Sequence, residues 1–156
     1  MTITTVPTSL ADITPDWMSE ALGAPVDGVD VERIAVGEGF TSHIARVAIT
    51  ARGDVPTSVI VKIPSPDPGA QALGQMLQLF EREHRFYTEI APTIDVRVPG
   101  CFAAARGGDA RYVIVLEDIG HLETPDQLDG TSRERAEQTI DWLAAFHGTT
   151  WDVSDD

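Results

Sequence analysis

The strongest β-strand signal in the sequence is SVIVKI, residues 58–63, in which β-branched side chains dominate. Lys62 lies near its end and is the only lysine among the eleven basic residues of the chain. Strand geometry puts Ile60 on the same face as Lys62, one pleat earlier. Removing an ammonium group from water is costly unless it is paired or bound to an anion. The stretch therefore predicts a lysine held on a counter-charge, or a strand-end lysine that extends to solvent.

A helix that could supply the counter-charge follows at 80–92, with the sequence FEREHRFYTEIAP. Apolar residues recur at three- and four-residue spacings over 70–90, which predicts one long helix after a proline-rich loop at 64–69. Glu83 lies on the apolar side of that helix, three residues from an aromatic side chain in each direction. An acid in that position needs a cation, so Glu83 is predicted to pair with Lys62. Glu81 is interpreted as a solvated charge.

The remaining predicted helices and strands lie before and after this strand and helix in the sequence. Thr14 as N-cap, Pro15 at the first helical position and Gly23 just past the end predict a short N-terminal helix. A last helix is predicted to begin at Thr131, with Glu134 completing a capping box. Strands are predicted at 31–36, 44–50, 58–63, 96–105 and 112–116. The order favours an α+β fold, a five-stranded antiparallel sheet with one long helix packed across it.

The turn between the first two strands, GEGFTSH at 37–43, is a candidate phosphate-binding loop. Gly37 and Gly39 would let the backbone approach a phosphate closely, and the hydroxyl and amide groups of Thr41 and Ser42 could donate to it. A hairpin with two glycines is more often structural than functional, so this turn by itself is a weak signal.

The composition of the chain argues against some classes of binding partner. The chain has 25 acidic and 11 basic residues and a net charge of −14, which argues against nucleic acid or an anionic membrane as a partner. The amino terminus lacks the features of a signal peptide, and no apolar run approaches the length of a membrane span. Neither the single cysteine, Cys101, nor the four histidines have metal-ligand spacing. We therefore expect a cytoplasmic protein without metal ligands of its own.

These motifs, taken in order, resemble the amino lobe of the aminoglycoside phosphotransferase and choline-kinase-like phosphotransferase superfamily. The glycine turn, the VIVK strand, the FEREHRFY helix and the segment YVIVLEDI at 112–119 follow one another as they do in that superfamily. The last helix, with LAAFH at 143–147, is similar to the helix that comes after the hinge. The resemblance covers roughly residues 14–152. It implies a protein-kinase-like amino lobe that binds ATP.

The resemblance also implies roles for individual residues. Lys62 would bind the α- and β-phosphates, Glu83 would orient it, and Ile60 would pack on the adenine ring. The hinge would offer the carbonyl of Glu117 and the amide of Ile119 to the adenine edge. The phosphates would be covered by Gly37, Gly39, Thr41 and Ser42. The parent protein would then transfer the γ-phosphate of ATP to a hydroxyl group of a small substrate bound mainly by a second lobe.

The catalytic residues of the superfamily do not occur in the sequence. An HxD loop and a downstream aspartate would supply the acid–base group and the magnesium ligands, but no HxD occurs in the 156 residues. No catalytic or metal-binding residue is therefore assigned, and magnesium is implied by the reaction alone. We expect an inactive fragment with a flexible leader over 1–13, an ATP-binding lobe over 14–119, and a linker with the first helix of a second lobe over 120–156.

Two other interpretations remain open. The chain could be a non-catalytic nucleotide-binding or protein-interaction module, in which an apolar face of the last helix serves self-association or a partner. That face would consist of Trp142, Leu143, Phe146 and Trp151. The chain could also be an unrelated α+β domain in which the lysine–glutamate pair is accidental.

Overall fold

A computed structural model of the protein describes residues 3, 5–35, 41–108, 111–122 and 128–151. The described helices are α1 (Pro15–Leu22), α2 (Pro68–Met76), α3 (Leu79–Arg85) and α4 (Arg133–Thr150), with a π-helical turn at Phe86–Ile90 and 3₁₀ turns at Leu10–Asp12 and Ala91–Thr93. The strands are β1 (Gly28–Ile34), β2 (Ser42–Thr50), β3 (Ser58–Pro64), β4 (Cys101–Arg106) and β5 (Tyr112–Glu117).

The five strands form one sheet in the order β1-β2-β3-β5-β4, and every neighbouring pair is antiparallel. The predicted α+β fold with a five-stranded antiparallel sheet is confirmed. β3 is the central strand, with β2 on one side and β5 on the other, so the lysine strand lies in the middle of the fold.

One face of the sheet is covered by α1 and by the chain that precedes it. Val59, Val61 and other alternate side chains of the sheet are fully buried there, against Trp17 and Met18 of α1. The leader contributes Ile3, Val6 and Ile13 to the same core, and they are 5%, 8% and 3% exposed. The prediction of a flexible leader over 1–13 is therefore wrong for these residues, because their apolar side chains cover part of the sheet that α1 leaves open.

The other face of the sheet carries the helical segment after β3, and this segment is not one long helix. The chain turns sharply between α2 and α3 at Gln78, whose φ of 54° is left-handed, and α3 then lies against β4 and β5. The apolar spacing continues through this break, which is why the sequence pattern predicts a single helix over 70–90. The predicted loop at 64–69 is also shorter than expected, because Asp67 caps α2 by accepting a hydrogen bond from the amide of Ala70, at 2.8 Å.

The predicted ends of α1 are confirmed, whereas the N-cap of α4 lies one residue later than predicted. The Thr14 hydroxyl accepts a hydrogen bond from the Trp17 amide at 3.2 Å, and Gly23 ends α1 with a φ of 68°. In α4 the N-cap is Ser132, not Thr131, since its hydroxyl accepts from the Arg135 amide at 3.2 Å.

Strand bounds differ most for β4, which begins at Cys101 rather than at residue 96. Pro99 lies in the predicted first half of the strand and has no N–H to donate to the sheet. Among the described residues, no helix combines the length and the apolar composition that crossing a membrane requires.

Candidate nucleotide-binding site

The centre of the candidate site is the ion pair between Lys62 on β3 and Glu83 on α3. The Lys62 ammonium donates to both carboxylate oxygens of Glu83, with Nζ at 2.8 Å from Oε1 and 2.6 Å from Oε2. The two side chains are 27% and 29% exposed. The pairing predicted from the sequence is thus present, and Lys62 is not a strand-end lysine that merely extends to solvent.

A small pocket adjoins this pair, with a floor of aromatic and aliphatic side chains. It is lined by Ser42, Lys62, Ile63, Pro64, Phe80, Glu83, Tyr112 and Ile114. Phe80 is 6% exposed, and its ring stacks on that of Tyr112 with 6.1 Å between centroids. Both rings border the ion pair, so they limit the freedom of Glu83 on one side of Lys62.

An apolar row crosses the sheet beside the ammonium group. Antiparallel register places Ile44 opposite Lys62 on one side and Ile114 opposite it on the other, so all three side chains share a face. Ile34 extends the row onto β1, since it pairs with Ile44. Ile60 lies on the same face one pleat away, as the sequence predicts. The surface next to Lys62 can therefore accept a flat apolar group.

Ile44 is a candidate site residue that the sequence pattern alone does not identify. The alternation within 44–50 predicts its strand, but the register between β2 and β3 is what sets it across from Lys62.

The predicted phosphate-binding turn is only partly described. Gly37 and Gly39 lie outside the described residues. Ser42 begins β2, is 9% exposed and lines the Lys62 pocket, and the Thr41 carbonyl accepts a hydrogen bond from the Ser65 amide at 2.9 Å. The carboxyl end of the turn is thus fixed close to Lys62.

The predicted hinge, from Glu117 to Ile119, begins at the last residue of β5 and is held at both ends. The Glu117 amide donates to the Gly100 carbonyl at 2.7 Å, and the Glu117 carboxylate accepts from Arg97 at 2.6 and 2.7 Å. Hydrogen bonds from Arg97 and from the Gly100 amide hold the pKa of Glu117 below its usual value. The Ile119 carbonyl accepts from the Leu122 amide at 2.9 Å. Adenine binding by Glu117 and Ile119 stays a prediction.

Asp118 anchors this hinge to the sheet, a role that the sequence pattern does not predict. Its Oδ2 accepts from Arg46 Nε and from the Ser58 hydroxyl, both at 2.8 Å, and its Oδ1 accepts from the Gly120 amide at 2.9 Å. The side chain is 10% exposed. Burial works against ionisation, but the hydrogen bonds from these three residues outweigh it and lower the pKa of Asp118. The carboxylate is therefore a fixed anchor between the hinge, β2 and β3.

Glu81 is not the solvated charge that the sequence suggests. Its Oε2 accepts from the Tyr112 hydroxyl at 2.6 Å and lies 3.1 Å from Nη1 of Arg106. The hydrogen bond from Tyr112 lowers the pKa of Glu81, and burial together with the Glu81 carboxylate raises the pKa of Tyr112. Both carboxylates of α3 thus bind side chains of the sheet, Glu83 to β3 and Glu81 to β4 and β5.

The last helix rests on the lobe through aromatic contacts. Trp142 donates from Nε1 to the Arg97 carbonyl at 3.1 Å and stacks on Phe146, with 5.5 Å between centroids. Phe146 also meets the Phe86 ring at 6.4 Å. Leu143 and Trp151 are 39% and 76% exposed. Part of the predicted apolar face is thus used within the chain, and self-association through the remainder stays a prediction.

Metal-binding chemistry has little support in the part of the chain that the structure describes. It contains no group of three or more His, Cys, Asp and Glu side chains that could hold a metal ion. Cys101 is a half-buried free thiol whose pKa is raised by burial.

Comparison with known proteins places the chain in a family. The family model of the Ecdysteroid kinase-like family matches residues 36–155, which is more than half of the chain. The matched region begins one residue before the glycine turn and includes Lys62, Glu83, the hinge and α4. A search of curated proteins finds no match to the chain.

Proposed function

Because the chain belongs to the ecdysteroid kinase-like family, within the choline-kinase-like phosphotransferase superfamily, we propose that it is the ATP-binding lobe of a small-molecule kinase. The kinase would transfer the γ-phosphate of ATP to a hydroxyl group of its substrate. The observation that carries this proposal is the Lys62–Glu83 ion pair, with Nζ at 2.6 Å from the nearer carboxylate oxygen, beside a partly open apolar row. An ammonium held in this way is pre-oriented for phosphate oxygens.

The nucleotide would lie across the face of the sheet that carries Lys62. Adenine would pack on Ile44 and Ile60, with its polar edge toward the backbone of residues 117–119. The α- and β-phosphates would reach Lys62, and the turn before Ser42 would cover them. Supporting this arrangement, the apolar row, the ammonium and the hinge share one side of the sheet in the order that a nucleotide requires.

The proposal concerns nucleotide binding, since the residues that would catalyse transfer are not assigned in this chain. Magnesium, when bound with ATP, would neutralise phosphate charge and polarise the transferred group. The acceptor is proposed only as a small hydroxyl-bearing molecule. The family's name makes ecdysteroids the first alcohols to test.

Titration with ATP, followed by calorimetry, tests the role of Lys62. Lys62→Met keeps the length and apolar stem of the side chain but removes the ammonium, so we expect binding to weaken about tenfold or more, the equivalent of about 1.4 kcal/mol. Arg52→Gln is the matched control, because it also removes one positive charge and Arg52 is 96% exposed. Its affinity for ATP should equal that of the wild type.

A thermal melt of each variant separates loss of binding from loss of fold. Equal ATP affinity in folded Lys62→Met and wild-type protein would overturn the proposed site.

A further inference from the structure

A second and larger cavity lies beside the Lys62 pocket and belongs to none of the roles assigned above. Its volume is about 520 Å³, within the range of about 300–1,000 Å³ that small-molecule sites occupy. It is bounded by α2, by α3 and by the β4–β5 edge of the sheet, and it contains neither Lys62 nor Glu83. Phe80 and Tyr112 line both cavities and form a wall between them.

The charge around this cavity is opposite to that of the chain as a whole. Arg82, Arg85 and Arg106 line it, against one carboxylate, Glu81, in a chain whose net charge is −14. Arg106 is engaged by Glu81 at 3.1 Å, and Arg85 by Glu89 at 3.0 Å. Within the described residues the Arg82 side chain makes no hydrogen bond or ion pair. The lining thus includes a guanidinium group that no carboxylate of the described chain neutralises.

The remaining lining residues are suited to an anionic ligand with a flat or apolar part. Gln75 and Gln78 also line the cavity, and their side-chain amides are possible donors. The left-handed φ of 54° at Gln78 makes the turn that separates α2 from α3 and so opens the cavity between them. Tyr112 and the buried Phe80 supply aromatic walls.

We propose that this arginine groove, lined by Arg82, Arg85 and Arg106, binds a small molecule that carries a phosphate or carboxylate group. Guanidinium groups bind both anions through paired N–H donors, and Arg82 and Arg106 approach from two different elements, α3 and β4. The bound molecule would contact Phe80 and Tyr112, which also line the pocket of the Lys62–Glu83 pair. The site is independent of nucleotide binding at Lys62, since it uses neither member of that pair.

NMR titration of the 156-residue chain tests the site with inorganic phosphate and, separately, with succinate. Potassium chloride at matched ionic strength is the control for general salt effects. We expect saturable shifts at the amides of residues 75–85 and 106 with at least one of the two anions, and the stronger of the two identifies the preferred group. Arg82→Gln should weaken that binding about fivefold or more, because it removes a charge-assisted donor.

Two further variants test whether the anion binds in the arginine groove. Arg52→Gln removes the same charge far from the groove, and Lys62→Met removes the cation of the neighbouring pocket, so both should leave the groove affinity unchanged. Shifts that persist at full affinity in Arg82→Gln, or that chloride reproduces, would overturn the groove. Shifts lost in Lys62→Met but kept in Arg82→Gln would also overturn it, while leaving the proposed nucleotide site intact.

Discussion

Gly74 lies in α2 directly above the ring of Phe80, and replacing it with alanine tests how firmly that ring is held. A Cβ atom at residue 74 would lie 2.4 Å from Cε2 and 2.6 Å from Cζ of Phe80, well inside the 3.4 Å at which ordinary contact begins. The ring is 6% exposed and stacked on Tyr112, so it would have to move by about 1 Å within a packed environment.

Two opposing effects decide how much Gly74→Ala changes the free energy of unfolding. In an unconstrained helix, Gly→Ala stabilises by about 0.5–1 kcal/mol, because glycine loses more backbone entropy on folding. Inserting a methyl group into a packed core costs about 1–3 kcal/mol. Since the clash at residue 74 is severe, we expect the packing cost to prevail and Gly74→Ala to lower the free energy of unfolding by about 1–2 kcal/mol.

Urea unfolding followed by circular dichroism measures the difference, and α4 offers a matched control. Gly148 is helical like Gly74, but it is exposed, and a Cβ atom there would have nothing within 4 Å. Gly148→Ala should therefore raise the free energy of unfolding by up to about 1 kcal/mol. The same substitution is thus expected to have opposite signs at the two positions.

A stabilising effect of Gly74→Ala, like that expected of Gly148→Ala, would refute the predicted clash with Phe80. A double-mutant cycle locates the cause, because the smaller side chain of Phe80→Leu should relieve the clash. Gly74→Ala in the Phe80→Leu background should cost at least about 0.5 kcal/mol less than in the wild type. Additive effects would mean that the Phe80 ring is not the group that meets the new methyl.

Two other predictions concern ionisable groups. Asp118→Ala should lower the free energy of unfolding at pH 7 by about 1–3 kcal/mol, since Arg46 and Ser58 lose their acceptor. The folded pKa of Asp118 is depressed, so its stabilising effect is present above the unfolded pKa of about 4 and is lost as pH falls through the folded pKa. Urea unfolding should therefore show a smaller difference from wild type at pH 3 than at pH 7, and an unchanged difference would contradict this origin. Glu81→Gln should lower the pKa of Tyr112 toward its usual value while burial still raises it, because the carboxylate is one of the groups that raise that pKa. Ring-labelled NMR titration of tyrosine measures this, and an unchanged pKa would show that the 2.6 Å contact does not form in solution.

The side-chain placements that follow from local pattern agree with the structure. Strand alternation put Ile60 on the face of Lys62, and helical spacing put Glu83 on the side of its helix that meets the sheet. The ion pair followed because a partly buried ammonium and a partly buried carboxylate each require a partner. The N-cap at Thr14 was equally local, since its partner lies three residues away.

The parts that depend on partners distant in sequence could not be predicted in this way. Asp118 and Arg46 are 72 residues apart, and Glu81 and Tyr112 are 31 apart. Their contacts depend on strand order and on the exact turn between α2 and α3, which apolar spacing does not encode because it continues through Gln78.

The sequence by itself therefore determined the strand that carries the lysine and the helical segment that carries its counter-charge, because each depends on neighbours within about one turn or pleat. Tertiary structure decided that the leader covers the sheet through Ile3 and Val6, that Ile44 faces the lysine, and that Asp118 anchors the hinge. These outcomes depend on sheet register and on which apolar surface is left to be covered, and both exist only once the strands have paired.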